Sequence, residues 1–157
     1  MIIRLSGSKE DIPFNFAVSS DSLDISSVEV TYFGEINIKG KLSYIGGGYL
    51  AVGETEVGKK FLCDRCLKEA ERVVKVPFEE KFTTYETEDS AVFTGDEIDL
   101  TETVRDVILS SEPISHLCKE DCKGLCKICG KDLNEGDCGC DRHITDPRFS
   151  VLENLKV

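Results

Sequence analysis

Along the first third of the chain, apolar side chains return at every second position. In IPFNFAV they are Ile12, Phe14, Phe16 and Val18, and in VEVTYFG they are Val28, Val30 and Tyr32. EINIKGKLSYI continues with Ile36 and Ile38 and, after an interruption at Gly40, Leu42 and Tyr44 on one side. A period of two puts one face of an extended chain in a core and the other in water, so these stretches predict strands. Ile2, Ile3 and Leu5 predict an opening strand, and Gly46 to Gly48 a turn. YLAVGETEVGKKFLC then reads as a return strand or a pair of strands. ERVVKVPFEEKFTTYE is a further long strand, in which Pro77 requires an edge, a bulge or a break because it has no N–H for a ladder. The expectation is an antiparallel meander or a partly open barrel, with Cys63 and Cys66 at a turn between strands.

The period changes after Asp99. Leu100, Val104, Val107 and Ile108 recur at i, i+4, i+7 and i+8, one face of a helix over 99–111, with Asp99 as N-cap and Glu102 as N3 of a capping box. That apolar face belongs to the core rather than to a functional groove, and Pro113 ends the helix. Glu86 to Glu97, acidic and aperiodic, reads as an exposed loop. Asp146-Pro147 followed by Phe149, Leu152 and Leu155 predicts a short final helix. The fold class is therefore α+β. A β-rich domain, 1–112, carries the helix, and a cysteine-rich tail, 113–157, carries a zinc knuckle.

Cysteine is what changes this picture. Six of the eight cysteines fall between Cys118 and Cys140, spaced C-x3-C-x3-C-x2-C-x8-C-x-C. Cys126, Cys129, Cys138 and Cys140 form two close pairs that can converge on one tetrahedral zinc. Gly130 and Gly139 supply positive φ where the chain must wrap the ion. Cys118 and Cys122 then lack local partners, and the other cysteines are Cys63 and Cys66 in CDRC. A second zinc held by Cys63, Cys66, Cys118 and Cys122 follows, joining two distant segments. His116 and His143 flank the cluster as substitute ligands, although eight thiolates already satisfy two ions. A disulfide framework is the rival for an even cysteine count. The start MIIRLSGSKEDIP does not read as a signal peptide and no run reaches a membrane span, which points to a reducing cytoplasm and to metal. Cys122, Cys126 and Cys129 also spell C-x3-C-x2-C, the spacing of radical enzymes with an iron–sulfur cluster, but those need a large barrel that this chain is too short to build.

Charge bears on the partner. There are 19 basic and 30 acidic side chains, a net of −11, which disfavours broad phosphate binding. Lys59 to Phe82 runs the other way, with seven cations against five carboxylates, and Lys119, Lys123, Lys127 and Lys131 recur every fourth residue, a charged face if the segment coils. No glycine-rich phosphate loop or nucleophile–base pairing stands in a recognisable setting, and a zinc with four thiolates has no open position. The expectation is a protein that is not an enzyme.

CDRCL at Cys63–Leu67, IDL at Ile98–Leu100, CKEDCKGLCKICGKDLNEGDCGC and the closing DPRFSVLENL together resemble the YceD family, the large ribosomal RNA subunit accumulation proteins. The likeness covers most of the chain from Cys63 onward. It implies a non-catalytic ribosome-synthesis factor needed for large-subunit ribosomal RNA to accumulate. Because the cysteine-rich tail is not present in every member, it also implies a structural role for the metal. One reading is direct binding of that RNA or an assembly particle through Arg65, Lys68, Lys119, Lys123 and Lys127, gathered around the second zinc. Arg65 would project outward from the metal-braced turn. The alternative is an acidic adaptor or chaperone-like partner for a basic ribosomal protein, offering Glu86, Glu88, Asp89, Asp96, Glu97 and Asp99. A weaker one is a thiol redox or metal sensor at Cys63 and Cys66.

Overall fold

The computed structural model describes residues 1–5, 10–25, 27, 29–85, 90–142 and 148. Five strands form the main sheet in the order β2 (Ile12–Ser19), β3 (Val30–Tyr44), β4 (Gly48–Leu62), β5 (Glu69–Thr83) and β6 (Ala91–Val92). The first four run antiparallel as a meander, and β6 adds parallel to the end of β5. β1 (Ile2–Arg4) is not part of this meander; it pairs with β7 (Glu97–Asp99) in a separate two-stranded ribbon. The main sheet is open among the described residues: its outer strands β2 and β6 do not meet.

Several sequence expectations are corrected or narrowed here. The acidic stretch Glu86–Glu97 is not one loop. Residues 86–89 lie outside the described residues, but Ala91–Val92 joins β5 and Glu97 opens β7. Strands of two or three residues are too short to show a period. The stretch from Gly48 to Leu62 is a single strand, and so is Val30–Tyr44, whose register shifts between Phe33 and Asn37, where Gly34 has φ +77°. The helix α1 spans Thr101–Ser110, so Asp99 is not its N-cap. Asp99 still caps in effect, because its Oδ1 accepts the Thr101 N–H at 2.9 Å. Glu102 makes no reciprocal bond among the described residues. Val28 and the stretch of the expected final helix, except Arg148, lie outside the described residues.

One face of the sheet is the core. Ile36, Ile38, Leu42, Ala51 and Val57 pack there with Phe61, Phe78 and Phe82, and Leu100, Val104 and Ile108 of α1 close over them. Apart from Ala51, each such buried side chain stabilises by about 1.5–3 kcal/mol. Gly40 is less an interruption than a requirement. It and its neighbour Gly53 lie under the rings of Phe14 and Phe78, where a Cβ would stand 2.6 and 2.8 Å from a ring carbon. The two rings lean over the bare backbone and stack at 6.4 Å.

Thr83 fixes how β5 faces its neighbours. Its carbonyl accepts from the Phe93 N–H at 3.0 Å, on the β6 side. With β4–β5 register unbroken from Gly48↔Thr83 to Leu62↔Glu69, alternation turns the backbone groups of the odd-numbered residues of β5 away from β4. Pro77 belongs to that series, so its missing N–H costs the ladder nothing.

Candidate metal centres and the surface around them

β4 ends at Leu62 and β5 begins at Glu69, and the turn between them is a knuckle. The Cys63 N–H donates to Lys68 O (2.9 Å) and the Leu67 N–H to Cys63 O (2.8 Å). The same two bonds recur in the tail, from Cys126 N–H to Lys131 O (2.8 Å) and from Gly130 N–H to Cys126 O (2.9 Å). Each C-x2-C pair is thus followed by a residue with positive φ, Leu67 at +57° and Gly130 at +74°. Glycine takes that conformation freely. Leucine is strained there by about 1–2 kcal/mol.

Within each knuckle, backbone N–H groups point at sulfur. Burial pushes the Cys63 thiol up, but N–H groups of Cys118, Cys66 and Arg65 outweigh it and bring it to about 6. N–H groups of Cys129 and Ile128 likewise hold Cys126 at about 6. Burial and the neighbouring thiols push Cys118 up to about 12, and the thiols of Cys129 and Cys138 do the same to Cys140. Four thiols this close cannot all ionise unless a cation joins them.

The sulfurs form two sets, Cys63, Cys66, Cys118 and Cys122, and Cys126, Cys129, Cys138 and Cys140, each with all Sγ atoms within 4.8 Å of one another. Cys63 Sγ stands 3.8 Å from Cys122 Sγ, and Cys66 Sγ 3.7 Å from Cys118 Sγ. Sulfurs about 2.3 Å from a zinc stand roughly 3.8 Å apart across a tetrahedron, whereas a disulfide needs about 2.05 Å. All eight cysteines are free thiols. The donor chemistry and spacing therefore fit a divalent ion of zinc's size in both places.

A family profile described as "Large ribosomal RNA subunit accumulation protein YceD" matches residues 53–156, more than half of the chain. The chain belongs to the YceD family. It is 37% identical over 60 residues to the large ribosomal RNA subunit accumulation protein YCED homolog 1, chloroplastic, of Arabidopsis thaliana, covering 38% of this chain and 19% of that protein. It is 28% identical over 123 residues to uncharacterised proteins of Mycobacterium bovis and Mycobacterium tuberculosis, covering 73% of this chain and 59% of theirs. The chain thus spans less than two thirds of the length of these relatives. No solved structure matches it.

In this YceD-family chain the first cysteine set is the more deeply buried, with Cys63, Cys66 and Cys122 in a small core of their own beside Leu117 and Leu125. The second set has Cys126 buried and Cys129 exposed. Three residues that spacing did not single out shape this junction, Asp64 and Gly124 between the distant segments and Asn134 within the tail. The Asp64 N–H donates to His116 O (2.9 Å) while Asp64 Oδ2 accepts the His116 N–H (2.7 Å). Gly124, at φ +72°, lies so near the first knuckle that a Cβ would stand 2.8 Å from Arg65 O. Asn134 Oδ1 accepts the Lys123 N–H at 3.0 Å, and its Nδ2 reaches Cys122 Sγ at 3.5 Å. His116 is buried against the Phe61 ring and faces Glu112, outside both sulfur sets. His143 lies outside the described residues.

The cations proposed as contacts are more occupied than their sequence positions suggest. Arg65 does not simply project outward: its Nη1 donates to Cys122 O at 2.9 Å, tying the two segments of the first set. Lys68 Nζ sits 2.7 Å from Asp132 Oδ2 and 2.8 Å from Glu135 Oε1. That bond and the Asn134 N–H hold the Asp132 carboxyl down at about 2. Lys60 pairs with Glu69, and Lys75 with Glu54 and Glu56. Lys59, counted among the basic run, is buried on the core face at 5% exposure, its Nζ 2.7 Å from Glu112 Oε2. Tyr32 donates to the other Glu112 oxygen at 2.9 Å. Lys119 lies 3.9 Å from Asp121. Lys123 and Lys127 are exposed with no ion pair among the described residues. The tail around them is turns, not helix, so the four-residue spacing of its lysines does not make a helical face.

Proposed function

We propose that this chain is a non-catalytic ribosome-synthesis factor, acting in the cytoplasm, that supports accumulation of large-subunit ribosomal RNA by binding that RNA or an assembly particle. The observation that carries the reading is the family match over residues 53–156. Two structural zincs complete it, one on Cys63, Cys66, Cys118 and Cys122, the other on Cys126, Cys129, Cys138 and Cys140. Four thiolates around each ion leave no open position for substrate, which favours a staple over a reaction centre. Of the proposed contacts, Lys123 and Lys127 on the tail are the ones free to meet phosphate, with Arg65 acting first as a brace. The test is co-sedimentation of the zinc-loaded protein with large-subunit precursor particles over a salt series. Association should weaken as salt rises, with a slope set by the few phosphates neutralised; no association at low salt would overturn it.

A second reading is favoured by the ion pairs just described. With Lys59, Lys60, Lys68 and Lys75 all neutralised within the chain, a net charge of −11 suits an adaptor for a basic ribosomal protein. Retention of such a protein, with none of the RNA, in the same salt series selects it.

A further inference from the structure

Among the described residues, β5 leaves part of its outer edge without a partner. β6 covers Phe82 and Thr83, and Pro77 interrupts the donors between. From Glu69 to Lys75 there is neither proline nor bulge, and the N–H and C=O groups of Glu71, Val73 and Lys75 face away from β4 with no described strand against them. An open, regular edge is the template on which extended chains add as strands. Proteins usually block such edges, and here the one proline lies beyond the open stretch rather than inside it.

Beside this stretch runs a groove of about 460 Å³ between the core face of β5 and the segment that leads from α1 to the first cysteine set. Phe61, Val74, Val76, Pro113 and Leu117 give it apolar walls. On the opposite face Val73 is 61% exposed. On the groove side the cation Arg72 is held by Leu117 O and Cys118 O, and the remaining charges leave carboxylates in excess. Lys60 and Lys75 are taken up by Glu69, Glu54 and Glu56, while Glu71, Glu79 and Glu120 have no ion pair among the described residues.

We infer that the Glu69–Lys75 edge of β5 accepts an extended segment of a partner protein as an added strand, its alternate side chains being apolar and cationic. The apolar ones enter the groove lined by Val74, Val76 and Leu117. The cationic ones lie on the opposite face, over Glu71 and the carboxylates of Glu54 and Glu56, three acids set against Lys75 and the Lys39 that also pairs with Glu54. A strand of about five residues satisfies the three exposed donors and three exposed acceptors of Glu71, Val73 and Lys75. This rests on the adaptor reading and gives it an address.

The probe is a synthetic seven-residue peptide alternating lysine and valine, with the glutamate–valine peptide as control, added to the zinc-loaded full chain. Amide hydrogen exchange is followed by NMR and affinity by fluorescence anisotropy. The expected result is a period-two pattern: the amides of Glu71, Val73 and Lys75 become protected at least tenfold, while Arg72 and Val74, already facing β4, are unchanged. The glutamate–valine peptide should bind at least tenfold more weakly. Val73→Pro removes an N–H that only the incoming strand would use, as native Pro77 does further along, and should weaken binding at least tenfold with an unchanged melting temperature; Lys75→Pro is the second variant should the first not fold. Protection of those amides before peptide is added would place this chain's own residues or a second copy on the edge and overturn the inference. An RNA oligonucleotide protecting the same amides would also overturn it. Lysine–valine binding that survives Val73→Pro overturns the edge as the site but leaves the adaptor reading, whereas no binding of the cationic peptide overturns both.

Discussion

Two backbone positions beside the first cysteine set have positive φ, and they respond to substitution in opposite directions. Leu67 holds φ +57° with its side chain 64% exposed, so Leu67→Gly removes strain and loses little burial. It should raise stability by up to about 1 kcal/mol, read as a higher urea midpoint at unchanged slope. Gly124→Ala meets both a positive φ and Arg65 O at 2.8 Å, and should cost about 1–3 kcal/mol and loosen the junction between the two knuckles. Glu112 is a third critical residue. Removing its carboxylate leaves the Lys59 ammonium buried beside the Tyr32 hydroxyl, so Glu112→Ala should destabilise by about 3–5 kcal/mol. Lys59→Met with Glu112→Leu should recover much of that loss, a difference visible in a double-mutant cycle. Thr55 is the converse case. Its hydroxyl is buried between β3 and β5 with no hydrogen-bond partner among the described residues, so Thr55→Val should be neutral or stabilising by about 1 kcal/mol.

At the scale of elements, the two cysteine sets differ in what they hold. The first joins the β4–β5 turn to the segment after α1, across more than fifty residues. The second closes within the tail. Cys118→Ser should therefore lower metal content and loosen the contact of the tail with the sheet. Cys140→Ser should release one ion while leaving that contact in place, and metal analysis with hydrogen exchange separates the two. Arg65→Ala removes a charged hydrogen bond to Cys122 O, worth about 1 kcal/mol at an exposed side chain. Its effect on partner association is then to be read against a measured loss of stability. For the same reason Lys123→Ala with Lys127→Ala is the cleaner test of phosphate contact, since neither lysine has an ion pair to lose among the described residues. The salt slope should fall by about one to two units while melting temperature stays level.

For the whole molecule, the sheet and α1 share one continuous core, and the first cysteine set has its own smaller one. Removing metal with a chelator should thus abolish exchange protection over residues 113–142 and at the Cys63–Lys68 turn first, with strand circular dichroism persisting. Metal-dependent stability should decline as pH falls, because protons compete for thiolates that the bound ion holds deprotonated, and return as pH rises.

What the sequence determined alone was whatever is written in local period or ligand spacing. Alternation at Ile12–Val18 and Ile36–Tyr44, the helical return of Leu100, Val104 and Ile108, and the two C-x2-C pairs each report their own surroundings, because strand, helix and knuckle are formed by residues a few positions apart. The likeness that placed the chain in the YceD family was legible for the same reason, in short contiguous motifs. Tertiary structure alone decided which charges are spent: Lys59 reads as one more surface cation until β4 turns it inward toward Glu112, and Lys68 as a free one until Asp132 arrives from the tail. It also decided that Gly124 must be glycine, that Leu67 pays for the first turn in strain, and that β5 has an edge with no strand against it among the described residues. Each depends on residues dozens of positions apart meeting in space, and burial and pairing are properties of that meeting, to which a pattern of neighbours along the chain is blind.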